Sequence, residues 1–329
     1  VLARFMNQVV PVVLLAPLTE LKPTYADSQR RNKIDDYVLS TLKKLGLPSS
    51  PPADDHTFAR RAFLDLTGQL PSPEQLDSFA TDPSPTKRDE LVSDLLASEP
   101  FVDLWTYRLA TLLRIRTQPK DQVGAFTFHQ WLRQQVKQST PYDEVARRLL
   151  TAEGDTHEVG PANFYRVVGG ARNQAEYVSE LLMGARMRCA NCHDHPLDRW
   201  TQDDYHGLAA LFAKVEQGRI VRLGNRGAVS HPRTGLAARP KIPGEDFVDS
   251  ASDPRKLLAA WITAADNPYF AKAIVNRLWR MLMGRGLIEP TDDVRSTNPP
   301  SHPELLDFLA EDFAAHGYDL RHTLRLIAS

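Results

Sequence analysis

From Ile34 to Ile327 the apolar residues recur mostly at three- and four-residue steps, and that period restricts the chain to packed helices over most of its length. Ile34, Tyr37, Val38, Leu42 and Leu45 make one such stripe, which Gly46 and Pro48 end. The same spacing predicts helices over 57–66, stopped by Gly68, and over 73–79, with Ser72 as cap and Glu74 in the first turn. Further helices are expected over 85–97, 101–115, 125–138, 142–152, 172–187 and 203–215. At Gln217 the texture changes, and glycines at 218, 224, 227, 235 and 244 divide short apolar pieces into loops or a β-hairpin. Helical spacing returns over 254–264, 268–283, 303–316 and 320–327.

The expected architecture is therefore mainly α. A helical region over 27–216 meets a Gly/Pro-rich connector over 217–250, followed by a second helical region over 251–329. The last helical pattern reaches Ile327 with no terminator, so the second region reads as incomplete.

Composition narrows the functions. Forty Lys and Arg face forty-one Asp and Glu, a net charge of −1 that gives no general attraction for nucleic acid or anionic membrane. No apolar run approaches the ~20 residues of a spanning helix. Residues 1–26 have a basic start, an apolar run from Val9 to Leu18 and small residues around Tyr25, as in a secretory signal segment. Pro11, Pro17 and Glu20 interrupt that pattern, and a buried N-terminal segment is the competing reading.

The chemistry sits in the only two cysteines. Cys189, Cys192 and His193 form C-x-x-C-H, the attachment signature of c-type haem. Residues three and four apart on a helical turn share a face, so two thioether bonds and one imidazole can address a single flat ligand. His193 is then the proximal iron ligand, and with both thiols used the chain carries one covalent haem. Zinc held by Cys189, Cys192, His193 and His195 competes, although structural zinc sites draw ligand pairs from separated loops. A redox C-x-x-C or a local disulfide uses the same thiols differently. His195 is too close to His193 to reach the opposite face of the iron, so Asp194 and His195, with Asp198, are assigned to a proton-handling cluster. A sixth ligand has to come from elsewhere. Met281, Met283, His231, His129, His157 and His206 are the candidates, each with an ordinary packing or surface role as its alternative. An open iron would meet peroxide, oxygen or substrate, and a filled one would favour electron transfer.

Several stretches resemble the planctomycete-type cytochrome c domain: Arg60 to Glu74, Thr140 to Val145, Pro161 to Phe164 and, most specifically, Cys189 to Tyr205. Asn267 to Trp279, Gly284 to Leu287 and Ser301 to Asp307 are similar to the domain that usually follows it. Together they cover about residues 30 to 329. The resemblance implies an exported bacterial protein, periplasmic or at the cell envelope, built of tandem domains of unknown function with haem at Cys189, Cys192 and His193.

Other features carry less. Arg60–Arg61 and Arg147–Arg148 are candidates for haem propionates but read more simply as solvated helix edges. Asn276 and Arg277 with Trp279 form a helix-packing and polar-anchor set. Gly284–Arg285–Gly286 lacks the strand-then-helix setting of a phosphate loop, and no common hydrolase motif is present. The sequence thus points to an exported haem protein in electron transfer or haem-based redox chemistry, with no substrate or redox partner named. The alternative is a structural or scaffold module whose cysteine motif binds zinc or forms a disulfide.

Overall fold

Capping residues define the helices where the apolar period places them. Asn32 closes a capping box with Asp35, and Ser72 another with Gln75. Gly46 and Gly68 adopt the left-handed conformation that ends a helix, with φ of 70° and 71°. In this computed structural model, residues 2–5, 8–12, 14, 16–17, 30–117, 121–248 and 252–329 are described. The helices α1 to α7 are Lys33–Leu45, Asp55–Thr67, Pro73–Thr81, Lys87–Ala97, Glu99–Leu112, Gln122–Lys137 and Tyr142–Leu150. Next come α8 (Phe164–Val167), α9 (Ala171–Val178) and α10 (Gln202–Leu211). The last four, α11 to α14, are Pro254–Ile262, Phe270–Met283, Pro303–Ala315 and Leu320–Ala328. The mainly α expectation holds.

Strands are few. Leu2–Phe5 (β1) and Gln8–Pro11 (β2) pair antiparallel inside the stretch expected as a signal, and residues 18–26 of that stretch lie outside the described residues. The helix expected over 203–215 ends at Leu211, and Val215–Gln217 (β4) pairs with Ile220–Leu223 (β5) in a hairpin that starts two residues before the connector, where loops or a hairpin were expected. A third strand, β3 (Gly154–Asp155), joins the free side of β5 in the order β3-β5-β4. Two residues carry no readable alternation, so this long-range pairing had no local signal.

The helix expected over 172–187 differs. α9 gives way to a π turn over Ser179–Met183, and Gly184 stops it at φ 63°. A side chain there would bring its Cβ to 2.8 Å from Val294 Cγ2, so the position is restricted by contact as well as by conformation.

The two helical regions share one buried cluster, which runs from Ile34 to Ile327. Helix α13 packs on α1, α14 on α4, α11 on α7, and α12 on the π turn. Polar links cross the same seam. Asn32 donates to the Leu326 carbonyl at 3.0 Å. Arg255 is fully buried, grips Asp253 through two bonds of 2.9 Å, and reaches Glu153 at 2.7 Å. Removing one member of such a group leaves a buried charge unpaired, at about 3–5 kcal/mol. Arg255→Ala is expected to lose that much in urea unfolding, and Arg255→Met with Asp253→Asn to lose less. Equal losses in the two variants would contradict this account.

Candidate cofactor site

The cysteine loop is held at its start, its middle and its end. At the start, Arg277 on α12, only 6% exposed, donates to the carbonyls of Leu181 at 2.7 Å and Glu180 at 2.5 Å, where the π turn runs out of donors of its own. The Val294 N–H donates to the Gly184 carbonyl at 2.7 Å, and Arg186 pairs with Asp292 at 2.7 Å. At the end, Thr297 donates to the Leu197 carbonyl at 2.8 Å, and the His195 N–H to the Trp200 carbonyl at 2.8 Å. Residues 292–297, distant in sequence, thereby bracket the motif.

The motif itself forms a 3-10 turn over Arg188–Asn191. Ala190 is fully buried and anchors it, with its N–H donating to Met187 at 2.8 Å, while Cys189 and Cys192 face outward as free thiols. The N–H groups of Cys192 and His193 both donate to the Cys189 carbonyl, at 3.3 and 3.4 Å. Beneath them His206, wholly buried, donates from Nε2 to the Asn191 carbonyl at 3.0 Å.

Hydrogen bonds fix the tautomers. His193 Nδ1 donates to the Asp194 carbonyl at 2.8 Å, which leaves the Nε2 lone pair of this exposed ring free. Asp194 is in turn placed by the Gln202 N–H, which donates to its carboxylate at 2.9 Å. His195 Nδ1 accepts from the Leu197 N–H at 3.2 Å, so its own lone pair is engaged. Burial lowers the His195 pKa and raises that of Asp198, which shares its surroundings. His195 and Asp198 are thus both half-buried and shifted in opposite directions by burial, while the Asp194 carbonyl orients His193.

The other sequence candidates lie apart from this turn or are committed elsewhere. His157 binds Asp121 at 2.9 Å, His231 lies 3.0 Å from the Asp203 carboxylate, and His206 serves the motif backbone. Met281 packs against the core, Met283 is exposed, and His129 is half-buried on α6. Arg147 pairs with Asp143 and Arg148 with Glu144, while Arg60 and Arg61 are exposed on α2. Asn276 exchanges two bonds of 3.0 Å with the Ile288 backbone, as a polar anchor should.

The donor set fits covalent haem at its attachment points: two outward thiols on one turn, then an imidazole with a free Nε2. The adjoining cleft, which reaches Arg188, is polar, so the thioether bonds rather than an apolar slot would hold the group. Cys189, Cys192, His193 and His195 do not bring three ligand atoms within 4.8 Å of one another; among the described residues only Asp312, His316 and His322 do. In that triad the two imidazoles stack 3.7 Å apart at 16°, so one ring would have to turn before both could point at a common ion.

A mainly helical chain of two fused regions, with an exposed cysteine turn pinned by the second region, is what fold and site define. The chain belongs to the family described as PSCyt2, a protein of unknown function (DUF1549), whose model matches residues 33–217. In tandem, residues 254–329 match PSD1, a protein of unknown function (DUF1553). No curated protein and no solved structure matches the chain.

Burial holds the His206 imidazole below its ordinary value of 6.5, so the unfolded chain takes up that proton first as pH falls. The stabilisation that His206 contributes is complete above about pH 6.5 and is lost on acidification. Urea unfolding of wild type and His206→Gln from pH 7.5 to 5 should therefore show a stability difference that narrows toward pH 5. A difference constant across that range would exclude this role.

Proposed function

We propose that this chain is an exported c-type haem protein of the planctomycete type, acting in electron transfer or haem-based redox chemistry. The observation that carries the reading is the turn on which Cys189 and Cys192 present free thiols beside a His193 whose Nε2 lone pair is uncommitted. A haem bound there would supply an iron centre that exchanges single electrons. His193 would serve as its proximal ligand, with the Asp194 carbonyl fixing the ring's tautomer and direction. His206 and the Gln202 N–H keep the turn and Asp194 in register. The exposure of both thiols and of His193 leaves this edge accessible to a redox partner. The zinc alternative has less support, because the four donors do not converge.

Expression in the periplasm of a host with cytochrome c maturation machinery tests the reading. The expected product has the peptide mass plus one haem, keeps its colour through acid-acetone extraction and gives a pyridine haemochrome spectrum. Cys189→Ser with Cys192→Ser should return the bare peptide mass and melt at the temperature of the haem-free wild-type chain, since neither thiol is buried. A bare mass for the wild-type chain would end the haem assignment, and zinc found by elemental analysis would move it to the structural alternative.

A further inference from the structure

A cleft of about 310 Å³ opens on the seam between the two matched segments, with walls from the end of α5, the π turn, α12 and the loop after Glu289. Ligand sites favour such seams, and π turns recur at functional sites. A neighbouring cleft of about 390 Å³ shares Arg114, Tyr177 and Glu180 with it.

Two buried polar groups in the wall lack full partners. Arg277 carries a permanent charge, yet it donates only to the carbonyls of Glu180, Leu181 and Ala273, and no carboxylate pairs with it among the described residues. The Tyr177 side chain is 3% exposed, and its hydroxyl has no hydrogen-bond partner. Both Arg277 and Arg114 act on that phenol electrostatically. Arg114 stacks 4.7 Å from the centre of the Tyr177 ring and is held at φ 52°, a left-handed conformation that costs a side-chain-bearing residue energy. The three wall acids are already matched: Glu180 by Arg114 at 3.5 Å, Glu289 by Arg280 at 3.2 Å, and Asp292 by Arg186 at 2.7 Å. What remains is one buried cation with no carboxylate within ion-pair distance among the described residues, beside a phenol hydroxyl with no acceptor.

The geometry points to a binding site for a small monocarboxylate, with Arg277 and the Tyr177 hydroxyl as inner recognition groups and Arg114 at the rim. A guanidinium matches the planar carboxylate fork, whereas a phosphate dianion would meet stronger repulsion from the carboxylates of Glu180 and Asp292. The site does not depend on the haem assignment.

Calorimetric titration of the purified full chain with acetate, propionate and inorganic phosphate, at ionic strength fixed with chloride, tests it. Saturable binding of one carboxylate per chain is expected, with phosphate at least about tenfold weaker. Tyr177→Phe and Arg114→Gln should each weaken carboxylate binding by about tenfold, the scale of one charge-assisted hydrogen bond. Tyr177→Phe should not lower the melting temperature, because the hydroxyl it removes has no partner in the protein. Absence of saturable carboxylate binding, equal affinity for phosphate, or unchanged affinity in either folded variant would overturn the proposal.

Discussion

The cysteine loop leaves the body of the protein from a turn that one guanidinium holds in place. The last carbonyls of any helix lack partners within the helix, and here the helix closes in a π turn that a left-handed glycine ends. Arg277 satisfies those of Glu180 and Leu181 from the neighbouring helix, and a cation at a helix C-terminus is also favoured by the helix dipole. The same group accounts for the placement of the motif and for the buried charge beside the cleft. A lysine, with one ammonium in place of a planar fork, would not span these carbonyls in the same way.

That clamp explains how the tandem segments act as one body. Arg277, Asp292, Val294 and Thr297 come from the second matched segment, and each contacts the first on one side or the other of the cysteine turn. The Arg255 group repeats the pattern on a different face, joining the start of α11 to Glu153. Between these polar clamps the buried cluster is continuous. The motif is exposed, but the parts that orient it are buried and contributed by two stretches nearly a hundred residues apart.

Within the turn a division of labour is visible. Ala190 points inward and anchors, while the flanking thiols point outward. His193 is oriented by the carbonyl of the next residue, and His206 secures the turn from below. Backbone carbonyls, more than side chains, set these tautomers, so the arrangement tolerates full exposure of the reactive groups without losing direction.

Local chemistry made much of this legible. The helices with Ser72, Gly46 and Gly68 at their ends followed from apolar period and capping, because both act within a few residues. The spacing of Cys189, Cys192 and His193 is likewise a property of the chain alone. The π turn, the third strand and the bracketing of the loop by residues 292–297 depend on contacts that no local pattern encodes. Asn276 and Arg277 stood out in sequence as polar residues on an apolar helix, but which carbonyls they would meet was settled only by packing against distant segments. The sequence by itself therefore determined the elements and the donor atoms of the motif. Their direction, burial and partners were decided by tertiary structure, since hydrogen bonds across a hundred residues form only once the helices between them have packed.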